Sequence, residues 1–260
     1  MDTARETVAD WIHRLNQAAR GQGFQVDSMG TAHGFPLPVW KKPAEGKPRV
    51  YLSAGFLGDE QAGPLAVECL LNGKSFDNRC AWTICPLLNP GGFVRNQRLN
   101  PDGIDLNRDY LANASPEISA HCRWLLRTPP HDLYLSLHED WEASGFYLYE
   151  INSSGQPVSL CQDILRAVGE VVPIEANSCI DNHTVAAPGF IRHDPEPDEP
   201  DGWPEAIFHA KLYPHLSYTM ETPSSLPMER RIAAHVTGVK TAVRLFPAKN
   251  FFDGMSRRPE

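Results

Sequence analysis

The segment Arg95-Asn-Gln-Arg-Leu-Asn-Pro-Asp-Gly-Ile-Asp-Leu-Asn-Arg-Asp-Tyr110 concentrates the reactive chemistry of this chain. Arg95 and Arg98 precede an Asn100-Pro-Asp-Gly103 turn, and Asp105-Leu-Asn-Arg108 follows it. Arginine presents a planar fork that matches a carboxylate bidentately and can also stabilise an oxyanion. Glu60, His138 and Glu221 each stand just past the end of a predicted strand. Ligands of open α/β sheets bind outside the carboxyl ends of the strands, so these three side chains are expected to converge. A histidine and a carboxylate at one mouth suit a zinc ion, and a third carboxylate suits a general base acting on water. Taken singly, each has an ordinary reading as a cap, a solvated side chain or a surface ion pair. The combination is what points to catalysis.

The elements that must position these residues follow from apolar periodicity. Val8, Trp11, Ile12, Leu15 and Ala19 recur at helical spacing and predict an amphipathic helix near residues 4–20. Strands are predicted over 49–55, 81–88, 133–137, 145–151 and 215–220. Helices are predicted from Gly63-Pro64 to Leu71, from Ser115-Pro116 to about Arg127, over 160–172, and from Pro227 onward. In the last, Ile232, Val236, Val239, Val243 and Phe246 form one buried stripe. Short apolar strands alternating with helices imply an α/β fold with a largely buried sheet. No internal repeat or Gly/Ser linker interrupts it, so residues 1–260 read as a single domain.

Composition bounds the function. The 260 residues carry 24 Lys and Arg against 32 Asp and Glu, a formal charge of −8. Five of the acids (Asp194, Glu196, Asp198, Glu199 and Asp201) crowd one proline-rich stretch, without which the charge would be −3. That stretch, 194–202, reads as a solvated loop, with a rim or lid over a site as the other option. No Lys/Arg cluster suggests nucleic acid, and no apolar run reaches the ~20 residues that span a bilayer. The N-terminus lacks a signal-peptide core, and six cysteines without a C-x-x-C pair read as reduced thiols, so a cytoplasmic protein is expected.

Arg98-x-Asn100 with Asp105-Leu-Asn-Arg108, then Leu137-His138-Glu139 and Glu221-Thr-Pro223, resembles the zinc carboxypeptidase superfamily. The likeness is narrower to its succinylglutamate desuccinylase/aspartoacylase-like branch and runs from about Val50 to Ala234. The resemblance implies a single α/β domain with a mixed, roughly eight-stranded twisted sheet. It implies hydrolysis of an amide bond beside a free carboxylate, with one Zn²⁺ held by a His-x-x-Glu pair and a distant His. Glu60 then matches the second ligand, His138 the third, and Glu221 the catalytic glutamate. Arg98 matches the arginine that polarises the scissile carbonyl, with Arg95 a weaker match. Asn107 and Arg108 match the pair that grips the substrate carboxylate. Tyr213 is the only tyrosine of the stretch 177–213 for a further role, a tyrosine that swings over the substrate.

One match fails. Where the family has the first His of His-x-x-Glu, this chain reads Leu57-Gly-Asp-Glu60. Leucine has no lone pair, and a catalytic zinc normally keeps three protein ligands. Three accounts are open at this point. Asp59 or His33 supplies the missing donor; the metal is weakly held or absent and the chain binds acyl-amino acids or peptide C-termini without turnover; or Leu57 is an isolated change in a working lineage. The other histidines (His13, His121, His131, His183, His193, His209, His215 and His235) read as solvated or strand-edge residues rather than ligands.

Overall fold

The structure, a computed structural model, describes residues 7–247. Helix α1 (Val8–Gly21) starts at Thr7, whose hydroxyl accepts from the Asp10 amide. The first residues of the predicted 4–20 helix lie outside the described range. A hairpin that the periodicity did not predict follows, β1 (Gln25–Ala32) and β2 (Phe35–Lys42). Then come β3 (Arg49–Ala54), α2 (Ala62–Asn72), β4 (Ala81–Cys85) and the short α3 (Pro90–Arg95). A 3-10 turn (Leu106–Arg108) leads to α4 (Pro116–Leu125), β5 (Leu133–Asp140) and β6 (Tyr147–Asn152). After α5 (Cys161–Gly169) lie a small hairpin, β7 (Cys179–Ile180) and β8 (His183–Thr184), and β9 (Phe190–Arg192). Helix α6 (Glu205–Leu212), β10 (Leu216–Pro223) and α7 (Met228–Leu245) complete the fold.

Eight strands form one mixed sheet in the order β1-β2-β4-β3-β5-β10-β6-β9. Its centre, β4-β3-β5-β10, is parallel. The α/β class and the eight-stranded mixed sheet are thus as expected. Alternation along each strand assigns the two faces. Val50, Leu52, Leu133, Leu135 and Leu137 point into a large apolar core with Trp11, Leu15, Val67, Leu70, Val239 and Ala242. Tyr51 and Tyr134 point the other way, into a second core with Ile118, Cys122 and Leu125 of α4. From β3 the chain steps to β4 on one side and later to β5 on the other. That reversal is the kind of place where open α/β sheets bind ligands.

Two predicted strands run longer than the apolar pattern implied. Strand β5 continues through Asp140 and β10 through Pro223, with His138 paired to Glu221. Both residues therefore sit within strands, not in the loops after them. Backbone pairing is indifferent to side-chain polarity, so a strand can continue where its apolar residues stop. The six cysteines are unpaired, with Cys69 and Cys179 exposed. Among the described residues, no helix is long and apolar enough to cross a membrane.

Candidate functional site

A cavity of about 380 Å³ opens at the carboxyl ends of β3, β5 and β10. Its sheet wall is built by Ser136 and His138 of β5, Thr219 and Glu221 of β10, and Tyr147, Tyr149 and Ile151 of β6. These are alternate residues of paired strands: Glu221 lies opposite both His138 and Tyr147, and Thr219 opposite Tyr149. The two-residue period of a strand puts all of them on one face.

Glu60 comes from the loop after β3 and is 7% exposed. That loop runs against the arginine segment: the Gly58 amide donates to the Arg98 carbonyl at 3.3 Å. A Cβ on Gly58 would lie 2.0 Å from the Gly92 carbonyl carbon, so only glycine allows the approach. Arg98 enters the cavity with its Nε 3.0 Å from Asp105 Oδ2 and its Nη1 4.0 Å from Glu60 Oε1. Burial works against its charge, but Asp105, Glu60 and Asp59 raise its pKa. Arg95, by contrast, is exposed at the end of α3 and does not line the cavity.

Asp105 also caps the 3-10 turn, accepting from the Asn107 amide at 2.9 Å. Asn107 Oδ1 accepts from the Glu205 backbone amide at 3.0 Å, which fixes its carbonyl end and leaves the amide nitrogen as the donor end. Arg108 lines the cavity and donates from Nη1 to the Asn107 carbonyl at 2.9 Å. Glu221 faces the same space. Burial holds its carboxyl well above the usual carboxylate range; Glu60, Asp140 and Asp181 add to the shift and Arg98 opposes it. The structure thus brings Glu60, Arg98, Asn107, Arg108, His138 and Glu221 to one cavity.

Whether these residues fit a zinc ion is decided by their donors. Ser136 Oγ lies 3.1 Å from both Glu205 Oε2 and His138 Nε2; with its hydroxyl donated to the carboxylate, it accepts from Nε2. A neutral imidazole protonated at Nε2 carries a lone pair on Nδ1, and that atom lies 2.9 Å from Glu60 Oε2. Two lone-pair atoms at that distance require a proton or a cation between them. The pair therefore suits a cation, but a third donor is missing. Leu57 is 3% exposed and packs in the apolar cluster with Phe56, Leu88 and Tyr110. His33 Nε2 lies 3.3 Å from Glu117 and 3.5 Å from Asp102, and neither His33 nor the exposed Asp59 lines the cavity. The set of Glu60, His138 and Leu57 does not fit a zinc with three protein ligands.

Behind His138 lies a buried polar cluster that no sequence pattern points to. Glu205, 2% exposed at the start of α6, accepts from Tyr51 at 2.7 Å and from Ser53 at 2.6 Å. Burial alone would raise its pKa, but His209, 3.3 Å away, and the hydroxyl donors bring it down to about 2. His121 bonds Tyr51 and Tyr110 at 2.8 and 2.7 Å, and burial pushes it down to about 4. With His131, His215 and His235, these histidines are buried rather than solvated, correcting the sequence expectation; His13 is exposed as expected. Tyrosine hydroxyls meet His121, Thr83 meets His131, Glu205 faces His209, the Tyr213 carbonyl meets His215 and Thr222 meets His235.

Sequence reasoning also missed Tyr147, Tyr149, Asp181 and His193 in the cavity wall. The alternation Tyr147-x-Tyr149-x-Ile151 was the available signal. Tyr213, the tyrosine singled out beforehand, ends α6 outside the cavity. The acidic stretch 194–202 is largely exposed, yet its Asp198 lines the cavity, so it is a surface loop that also serves as a rim.

Residues 46–182, more than half of the chain, match the family model described as the succinylglutamate desuccinylase/aspartoacylase catalytic domain. A solved candidate metallopeptidase from Shewanella amazonensis is 27% identical, with a TM-score of 0.77 over 91% of this chain and 92% of that one. Another from Shewanella denitrificans is 23% identical, with a TM-score of 0.79 over 92% and 90%. Carboxypeptidase A from Helicoverpa armigera shares the fold at 16% identity, with a TM-score of 0.67 over 93% and 73%. No curated protein matches the chain.

Proposed function

Because the chain belongs to the succinylglutamate desuccinylase/aspartoacylase catalytic-domain family, we propose that its cavity binds an acyl-amino acid or a peptide C-terminus by the free carboxylate and cleaves the adjoining amide. Family and fold make the chain one of the metallopeptidase/deacylase type. The observation that carries the proposal is the convergence of Arg98, Asn107, Arg108 and Glu221 on one cavity. Arg108 and the Asn107 amide nitrogen dock the carboxylate, which sets the amide in place for attack. Arg98, oriented by Asp105, meets the oxyanion that forms on the carbonyl. Glu221 takes the proton of the attacking water and returns it to the leaving amine. Burial first, and then Glu60, Asp140 and Asp181, favour the acid form of Glu221 while Arg98 opposes them, which suits the step that returns the proton to the amine.

A second reading is favoured by Leu57: the cavity binds the same ligands without turning them over. The test is a panel of N-acyl-amino acids and dipeptides, with binding measured by calorimetry and cleavage by NMR, for the wild type and Leu57→His in added Zn²⁺. Cleavage by the wild type supports the hydrolase. Binding without cleavage, with cleavage gained only in Leu57→His, establishes the second reading. If neither protein binds any carboxylate-bearing amide, both readings fail.

A further inference from the structure

At the edge of the cavity, we propose a metal site, made by His183, His193 and Asp198, that takes a first-row divalent cation such as Zn²⁺. It is the one group of three His, Cys, Asp or Glu donors with metal-binding proximity among the described residues, each offering an atom within 4.8 Å of the others. It lies apart from Glu60 and His138 in the chain and stands whether or not the protein hydrolyses amides.

Two of the three donor–donor distances match a coordination sphere. His183 Nε2 is 3.3 Å from Asp198 Oδ2, and His193 Nε2 is 3.2 Å from Asp198 Oδ1. Donors held at ~2.0–2.1 Å around a tetrahedral zinc lie roughly 3.3–3.4 Å from one another. Two imidazoles and a carboxylate suit zinc and its first-row neighbours, and three protein donors leave one position for water or a ligand.

Hydrogen bonding turns His193 toward Asp198 as it would be turned on a metal ion. His193 Nδ1 lies 2.5 Å from the Asp194 carbonyl oxygen, which can only accept. Nδ1 must therefore carry the ring's proton, and a neutral ring then turns a lone pair at Nε2 toward Asp198. A metal-bound histidine is oriented in this way, its far nitrogen donating to a backbone carbonyl. Lone pair facing carboxylate is unfavourable unless a positive charge lies between them.

The fold positions each donor separately. Asp181 and Asn182 take left-handed conformations, φ +46° and +62°, at the reversal that carries His183 onto β8. The His193 amide donates to the Glu150 carbonyl of β6 at 2.9 Å, tying it to the main sheet. Tyr149 packs edge-on to both rings, with centroids at 5.6 and 6.0 Å, and its hydroxyl is held by Asp181. Asp198 comes from the acidic loop, which an ion pair between Glu196 and Lys211 at 2.6 Å secures to α6. His193 and Asp198 both line the cavity, so an ion there borders the space where substrate is proposed to bind.

The test is titration of metal-free full-length protein with Co²⁺, followed by visible absorption and calorimetry. Wild type is expected to bind one ion tightly. His193→Ala and the near-isosteric Asp198→Asn are expected to lose at least tenfold in affinity, whereas Glu60→Gln with His138→Gln keeps it. In Leu57→His the stoichiometry should rise from one to two. Wild type that binds no ion, or whose ion is lost with Glu60 and His138 but not with His193 or Asp198, would overturn the proposal. Failure to cleave any amide would leave these readouts unchanged and would count only against the hydrolase.

Discussion

Arg108 and Arg98 have the same side chain but different tasks, because their neighbours differ. Arg98 is held by Asp105 and faces Glu60, whereas Arg108 reaches only a backbone carbonyl and remains available to an anion. A hydrogen bond to a charged group contributes ~1.5–3 kcal/mol, so Arg108→Ala should weaken binding of a carboxylate ligand by about 10- to 100-fold. Calorimetry with an N-acyl-amino acid measures it; unchanged affinity would remove Arg108 from the docking role. Where the wild type turns over substrate, Arg98→Lys should lower kcat more than it raises KM, because an ammonium cannot reproduce the fork held by Asp105. A rise in KM alone would place Arg98 in ground-state binding instead.

At the scale of elements, the site depends on two loops pressed together. The turn after β3 carries Leu57 and Glu60, and its Gly58 lies against Gly92 of α3 and Gln97. Gly58→Ala would drive a methyl group into backbone, and overpacking of that kind costs ~1–3 kcal/mol or more. Gly21, in the last turn of α1, has nothing within 4 Å of an added Cβ. Gly21→Ala should therefore leave stability unchanged or raise it by up to ~1 kcal/mol. Chemical denaturation of the two variants checks the contrast, and equal stabilities would contradict the close approach. A second tertiary tie comes from Glu139, which caps α2 by accepting from the Ala62 amide at 2.7 Å and also pairs with Arg231 of α7. Helix α2 has no side-chain cap of its own, so this carboxylate from β5 does the capping.

Across the whole molecule, buried titratable groups set the acid limit of stability. His121 is neutral in the fold, with its pKa lowered from 6.5 to about 4 by burial, and His131 is lowered in the same way. Above pH 6.5 neither state is protonated, so these groups contribute no pH dependence there. As pH falls below 6.5, the unfolded chain takes up protons that the native state refuses, and stability declines. Glu205, lowered from 4.5 to about 2, acts at lower pH: its contribution is complete above 4.5 and lost as pH falls toward 2. At pH 5 one such histidine costs ~2 kcal/mol. Tm should therefore be at least ~4 °C lower at pH 5 than at pH 7.5. A flat Tm over that interval would mean either that His121 and His131 are not held neutral or that Glu221, whose raised pKa acts in the opposite direction, offsets them.

The sequence by itself determined the α/β class and most of the strands and helices, and it singled out Glu60, Arg98, Asn107, Arg108, His138 and Glu221, which the fold brings to one cavity. Apolar periodicity is local, and motif spacing survives without knowledge of the fold. It could not extend β5 to His138 or β10 to Glu221, because strand pairing is set by the neighbouring backbone and not by the residue's own polarity. Nor could it find Glu205 among Tyr51, Ser53 and His209, or His183 beside Asp198. Those partners come from different elements and share no periodicity. Around Glu205 burial strips the groups of water and leaves them to satisfy one another, and in both cases which groups meet is decided by the tertiary structure.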